Sequence, residues 1–443
     1  MRKTKIVCTI GPATDDDNIL REMMLSGMDV ARFNFSHGDY EIHKRRFEQV
    51  TRLRNELGLP IATMLDTKGP EIRLGQFVDN KPVDVADGDT ITLTTIECEC
   101  TAKKAYINFK NLPKDVSVGT TILINDGAVE LRAEKITDTD IVCTVVHGGT
   151  LSNNKGINVP GVELSMPYLS ERDMNDLEFG AKMGFDFIAA SFVRSSADIN
   201  YLKKFTKSLG WTTPRIISKI ENMDGVNNID EIIEKGYMSG KQVITATQML
   251  ESMITNLRPT RAEITDVANA IYDGTSAIML SGETAAGKHP VEAVKTMALI
   301  AETTEKDINY IARLSKRPMQ KGIDSTNAIA HAAVTTAHDL GAKAVITVTK
   351  SGSTAKNISK YRPTCMIIGC TPDDTVHRQM SLSWGVVPVK MDEKSSTDEL
   401  FSAAIDAAKD HGLVEENDIV VITAGIPLGV AGKTNMLKVD TIK

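Results

Sequence analysis

Short apolar runs alternate with helix-length amphipathic stretches from the start of the chain. Lys5-Ile6-Val7-Cys8-Thr9-Ile10, Asp29-Val30-Ala31-Arg32-Phe33-Asn34-Phe35 and Ile61-Ala62-Thr63-Met64-Leu65-Asp66 are runs of strand length. Between the second and third, Phe47, Val50, Leu53 and Leu57 recur at the spacing of one helix face. Gly58-Leu59-Pro60 then supplies the glycine and proline that end a helix. Strand, helix, strand in this order predicts βαβ units and a parallel sheet. From about residue 70 to 166 the pattern becomes alternation, as in Thr90-Ile91-Thr92-Leu93-Thr94 and Ile122-Leu123-Ile124, which predicts an all-β insert. The βα rhythm resumes at Phe185 to Phe192, Arg215 to Ile220, Gln242 to Thr247 and Ser276 to Leu280. Both halves together give seven strands, one short of the eight that close a β/α barrel.

A third region begins after the polar stretch near Lys316. It opens with an alanine-rich helix from about Ser325 to Leu340, followed by three strands at Ala344 to Val348, Met366 to Cys370 and Ile419 to Thr423. The fold class expected is therefore α/β: a (β/α)8-type barrel over 1–69 and 167–322 with one βα unit missing, an all-β insert over 70–166, and a C-terminal open α/β domain over 323–443. A chain of 443 residues is too long for one hydrophobic core, which agrees with this division.

Charge narrows the partners. Fifty-one basic against 58 acidic residues leave a net charge of −7, the wrong sign for a protein that lives on nucleic acid or anionic lipid. No run approaches the 18 apolar residues of a membrane span, and the apolar opening is too short for a signal peptide, so a cytoplasmic protein is expected. The six cysteines include no pair at the two-residue spacing of zinc or redox motifs. Cys98 and Cys100 fall in an alternating stretch that would place both on one strand face, as side chains rather than metal ligands.

Polar residues stand at the strand ends, where a barrel carries its chemistry: Arg32, Asn34 and Ser36; Asp66 and Thr67; Lys219 and Glu221; Thr247. Cations, hydroxyls and carboxylates converging there suit an anionic substrate with hard metal ions, and phosphate chemistry is the natural reading. In the third region Thr349-Lys350-Ser351-Gly352-Ser353-Thr354 follows a strand and precedes a helix, so its amides and hydroxyls form a candidate anion pocket. A serine-rich turn with a capping threonine fits that spacing equally well.

Six motifs in order resemble pyruvate kinase: Cys8 to Pro12, Arg32-Phe33-Asn34-Phe35-Ser36-His37-Gly38, Asp66-Thr67-Lys68-Gly69-Pro70-Glu71-Ile72-Arg73, Ser218-Lys219-Ile220-Glu221-Asn222, Thr245 to Met253, and Leu280-Ser281-Gly282-Glu283-Thr284-Ala285. The resemblance spans the chain, with the β insert as the lid and the last region as the regulatory domain. It implies transfer of the phosphoryl group of phosphoenolpyruvate to ADP, the last step of glycolysis, in a cytoplasmic homotetramer. It implies that Asn34, Ser36, Asp66 and Thr67 hold K+, that Arg32 and Arg73 contact phosphate oxygens, and that Lys219 neutralises the phosphoryl in flight. Glu221 would bind Mg2+ or Mn2+, Thr247 would sit near the carbon that is protonated, and Asn34, His37 and Lys155 would serve the nucleotide. Glu71 would confer potassium dependence. The loop Thr349 to Thr354, with Gly429 to Thr434 as a second wall, would hold a phosphorylated effector.

One departure stands out. Family members carry a strand ending in Ala-Arg-Gly-Asp after the Lys-Ile-Glu-Asn strand; its Asp would be the second protein ligand of the divalent metal, and amides beside it would bind the substrate carboxylate. Here the chain runs Asn228-Ile229-Asp230-Glu231-Ile232-Ile233-Glu234-Lys235-Gly236, as one helix across a seam from which about thirty residues, one βα unit, are gone. The missing unit predicts a poorly folded chain unless its neighbours close the gap, and negligible turnover as a kinase. It also keeps two rivals open: a silent relative that acts by binding or assembly, and a barrel lyase or aldolase acting on phosphorylated keto acids.

Overall fold

The computed structural model describes residues 2–125, 127–162, 164–193, 195–221, 240–316, 324–427 and 433–443. The first three strands are β1 (Lys5–Thr9), β2 (Val30–Asn34) and β3 (Ala62–Asp66). The helix Tyr40–Leu57 between the last two starts on Asp39, whose side chain accepts the Ile42 N–H, and stops at left-handed Gly58 (φ 63°), as its pattern predicts.

The insert supplies nine short strands: β4 (Ile72–Arg73), β5 (Val83–Val85), β6 (Thr90–Thr94), β7 (Lys104–Tyr106), β8 (Thr121–Ile124), β9 (Val129–Ile136), β10 (Asp140–His147), β11 (Gly149–Leu151) and β12 (Gly156–Asn158). Seven form one sheet in the order β4-β12-β8-β9-β10-β6-β7, and β5 pairs with β11. Their inward positions, among them Ile91, Leu93, Leu131 and Ile141, form a core separate from that of the parallel sheet. One expectation needs correction here: β6 ends at Thr94, so Cys98 and Cys100 do not share a strand face. Cys100 is buried in an isolated bridge to Phe77, with its Sγ 3.3 Å from the Tyr106 N–H.

The chain then returns to the first sheet with β13 (Phe187–Ala190), β14 (Arg215–Ser218), β15 (Ile244–Thr245) and β16 (Ala277–Leu280). The order is β14-β13-β3-β2-β1-β16-β15, and every pairing is parallel. The sheet as described is open, with β14 and β15 at its two ends. An eighth strand would pair with those two to close it, and residues 222–239, which join them, lie outside the described residues along with the seam at 231–235. One apolar cluster gathers Val7, Val30, Ala62, Met64, Phe187, Ala189, Ala277 and Met279 of these strands, all buried, with Ile217 and Ile244 of the end strands only half-buried beside them.

The C-terminal sheet comprises β17 (Ala344–Val348), β18 (Met366–Thr371), β19 (Val386–Lys390), β20 (Ile419–Ala424) and β21 (Met436–Thr441), in the order β19-β18-β17-β20-β21. Two of these five strands go beyond the three expected from the sequence. β19 carries Pro388 and β21 alternates polar residues, as suits the two edges of a sheet, so neither shows the continuous apolar run that marks a central strand. This domain is tied to the barrel at Asp186, which is fully buried just before β13. Its carboxylate accepts hydrogen bonds from Arg378 Nε (2.9 Å) and the Thr63 N–H (2.9 Å), and its carbonyl accepts one from Gln379 (3.0 Å). None of the described helices is long and apolar enough to cross a membrane.

Candidate active site

The parallel register brings four strand ends together. Asn34 pairs with Asp66 across β2 and β3, Asp66 with Ala189 across β3 and β13, and Ala190 with Ser218 across β13 and β14. Lys219 continues that ladder, its N–H donating to Ala190 O at 2.9 Å. Polar side chains just past each strand therefore meet at one end of the sheet, as the barrel rule requires.

Asp66 is the centre of the cluster and is 2% exposed. One carboxylate oxygen, Oδ2, accepts Arg32 Nε at 2.6 Å; the other, Oδ1, accepts Lys219 Nζ at 3.0 Å and Ser191 Oγ at 3.3 Å. Arg32 is itself buried and donates a second bond to Thr9 Oγ1 at 2.8 Å. Lys219 Nζ also donates to Ser191 Oγ at 2.8 Å and lies 3.1 Å from Glu221 Oε1. Two cations from different strands are thus held on either side of one buried carboxylate, which fixes their positions before any ligand arrives.

The oxygen donors expected from the sequence lie alongside. Thr67 is buried; its carbonyl accepts Ser191 Oγ at 2.6 Å and its hydroxyl oxygen accepts the Ser191 N–H at 3.1 Å. Asn34 Oδ1 accepts the Ser36 N–H at 3.0 Å, which turns the backbone after β2. Gly69 keeps this corner compact: it has φ +75°, and a side-chain carbon there would sit 2.7 Å from Ser191 Cβ. Its N–H donates to Asp173 of the helix Glu171–Met183 at 2.9 Å.

Of the other predicted residues, only Glu221 touches this cluster, through Lys219. Arg73 and Glu71 pair with each other in the β insert at 2.6 Å, and Arg73 donates to Asn154 O at 2.6 Å. Lys155 is half-buried nearby, its carbonyl accepting the Leu74 N–H. His37 is exposed, its carbonyl 2.9 Å from His43 Nε2. Thr247 is exposed after β15 in a left-handed conformation (φ 73°), with its hydroxyl turned back to Ala246 O at 2.6 Å. Glu221 leans on the Phe192 N–H at 2.9 Å, and Phe192 itself has φ 51°.

Sequence reasoning passed over Thr9, Ser191 and Glu283. The first two are strand-end hydroxyls of the kind that singled out Thr67, Thr9 the last residue of β1 and Ser191 the first after β13, each inside an apolar run whose sequence does not mark where the strand stops. Glu283 is fully buried and accepts the Leu250 and Ser281 N–H groups at 3.1 and 2.7 Å. An acid within an otherwise small-residue motif was its only mark.

In the C-terminal domain Gly352 is left-handed (φ 74°) before the helix Ser353–Ser359. Ser351 Oγ lies 2.9 Å from Ser353 Oγ, and buried Thr354 lies 2.9 Å from Thr434 across Oγ atoms. Thr349 is buried under the β18 end, and Lys350 pairs with Glu393. Residues 429–432 of the second wall lie outside the described residues.

Comparison with known proteins matches both the barrel and the C-terminal domain. The family model for the pyruvate kinase barrel domain matches residues 1–238 and 232–294, and that for the pyruvate kinase alpha/beta domain matches 327–440. Pyruvate kinase of Clostridium acetobutylicum is 44% identical over 474 positions, covering all of both chains. That of Geobacillus stearothermophilus is 44% identical over 473 positions, covering all of this chain and 80% of its own. The crystal structure of a pyruvate kinase from Cryptosporidium parvum superposes with a TM-score of 0.93 at 35% identity, over all of this chain and 96% of that one. The alignment of 474 positions to the Clostridium enzyme exceeds the 443 residues here by 31, the length of one βα unit.

Proposed function

The chain belongs to the pyruvate kinase family, and on that premise we propose that the cluster around Asp66 is where phosphoenolpyruvate gives its phosphoryl group to ADP. The carrying observation is the carboxylate of Asp66 bridging Arg32 and Lys219. A substrate phosphoryl entering beside them meets two preset cations, and the charge on its equatorial oxygens grows as the bond to the enol oxygen breaks. The phosphorus then bonds to the terminal phosphate oxygen of ADP, and the enolate takes a proton to become pyruvate. Arg32 and Lys219 hold the phosphoryl, Arg73 reaches it from the lid, and Thr247 lies by the carbon that receives the proton.

The donor sets for the metal ions differ. Asn34, Ser36, Asp66 and Thr67 offer hard oxygens at two adjacent strand ends and fit K+, which would add positive charge beside the phosphoryl. For Mg2+ or Mn2+ the described residues offer one carboxylate, Glu221, and no group of three or more acidic, histidine or cysteine side chains. That set is too small for a divalent site, and no step is assigned to such an ion here. Asn34, His37 and Lys155 serve the nucleotide, the loop Thr349 to Thr354 takes a phosphorylated effector, and the enzyme assembles as a homotetramer.

Pyruvate formation from phosphoenolpyruvate, measured with and without ADP, tests the reading. ADP-dependent turnover that falls by about 10²–10³ in Lys219→Met is expected. Pyruvate released without ADP would mean lyase chemistry and overturn it.

A further inference from the structure

The first turn of the helix Glu171–Met183 touches both strand-end corners of the candidate K+ set. Arg172 Nη2 donates to Phe35 O at 2.9 Å, between Asn34 and Ser36 in the chain. Asp173 Oδ1 accepts the Gly69 N–H at 2.9 Å, two residues past Thr67. A backbone bond from the Phe35 N–H to Asp66 O at 3.0 Å joins the corners directly.

Helix capping explains only half of what Asp173 does. Its Oδ2 accepts the Ser170 N–H and hydroxyl at 3.0 and 2.6 Å, and Ser170 Oγ accepts the Asp173 N–H at 3.1 Å, a reciprocal capping pair. Its Oδ1 serves Gly69 instead, 104 residues away in the chain. The side chain is fully buried, so these donors hold its carboxylate in one place. On its other side Gly69 has no room to shift: a side-chain carbon there would sit 2.7 Å from Ser191 Cβ and 2.8 Å from the Phe192 ring. The turn Thr67-Lys68-Gly69 is thus gripped between Asp173 and Ser191, whose hydroxyl donates to Thr67 O at 2.6 Å. Arg172 is exposed, so its bond to Phe35 O sets position rather than filling a core.

At a given distance a monovalent ion attracts an oxygen with about half the Coulomb energy of a divalent one. It therefore does little to gather its own donors, and the spacing between the corners has to be built into the chain. We propose that Arg172 and Asp173 are positioning residues for K+, fixing the distance of Asn34 and Ser36 from Asp66 and Thr67. The proposal rests on the reading of those four residues as the K+ set.

Thermal melts of the full chain in KCl test it, with tetramethylammonium chloride keeping the ionic strength constant and no phosphoenolpyruvate present. They read binding without turnover, because a ligand of the folded state raises the melting temperature. The half-saturating KCl concentration should rise about tenfold in Arg172→Met and in Asp173→Asn, the scale of one charge-assisted hydrogen bond. It should return close to the parent's in Arg172→Lys, which can still donate to Phe35 O. Ser170→Ala breaks the capping pair but leaves Gly69 its acceptor, so it should lower the melting temperature in every salt without moving the half-saturating concentration. If Asp173→Asn does not fold by circular dichroism, Arg172→Met against Arg172→Lys decides alone. Unchanged half-saturation with merely lowered melting temperatures would make both residues structural and overturn the proposal, leaving the K+ set intact. A parent chain whose melting temperature ignores KCl would overturn the K+ set and the proposal with it, whereas phosphoryl transfer is judged separately by ADP-dependent turnover.

Discussion

Two parts of the same sheet are built from the same kinds of residue and end up in different surroundings. In β3 and β13 every residue is buried; in β14 three residues are half-buried and Ser218 is exposed, and β15 is half-buried throughout. Ile188 of β13 is fully buried, whereas Ile216 and Ile217 of β14, just as apolar, are not. The difference among the described residues is the number of neighbours: β13 lies between β3 and β14, while β14 pairs with β13 alone. A parallel strand is buried by what flanks and covers it, so burial here reports the completeness of the sheet rather than the sequence of the strand. The proposed site straddles the divide. Arg32, Asp66 and Ser191 rest on the closed side; Lys219, Glu221 and Thr247 rest on the two ends.

The comparison can be broken most forcefully by completing the sheet. Inserting a family-like strand and Ala-Arg-Gly-Asp segment between Ile233 and Glu234 should raise ADP-dependent turnover by about 10²–10³ or more, since amides for the substrate carboxylate and a second metal carboxylate return together. Equal rates with and without the insertion would show that the open end costs nothing. Within the present chain, Asp66→Ala should destabilise by about 3–5 kcal/mol in denaturant titration, because it strands the buried Arg32. Glu221→Ala, on the exposed end, should cost less than about 1 kcal/mol. Ile188→Ala should cost about 2–5 kcal/mol, and Ile216→Ala, only partly buried, well under half as much.

A smaller effect marks the contact between the closed side and the C-terminal domain. His377, beside the Arg378 that binds Asp186, is pushed down to about 4 by burial. Below its ordinary value near 6.5 the unfolded chain takes up a proton that the folded chain refuses. Stability is therefore complete above about pH 6.5, falls as pH drops towards 4, and levels off below, by no more than about 3 kcal/mol. His377→Gln should flatten the stability profile across that window in urea titrations.

How much of this was legible in the sequence follows from the same contrast. Continuous apolar runs such as Ala344 to Val348 and Phe187 to Ala190 mark strands with two neighbours and were found directly. The edges β19 and β21, with Pro388 and polar alternation, were not. At the site, Arg32, Asp66 and Lys219 could be named because polar residues at strand ends are conspicuous against an apolar run. Ser191 and Thr9 could not, since their roles depend on which neighbour the register brings alongside. The backbone reversal that turns the Thr247 hydroxyl onto its own chain has no signature in Ala246-Thr247-Gln248. The missing unit was legible as a count of seven strands, and the sheet order shows where it would go.

Hydrogen exchange at single amides tests most directly whether β14 is an unpaired edge. The Arg215 and Lys219 N–H groups point to β13, donating to Asp186 O and Ala190 O, so the alternate amides of Ile216 and Ser218 point away from it. The account predicts that Ile216 and Ser218 exchange at least about a hundredfold faster than Ile217 and than Ile188 of β13. Equal protection of all four amides would mean that another segment completes the sheet at β14, and would contradict the account.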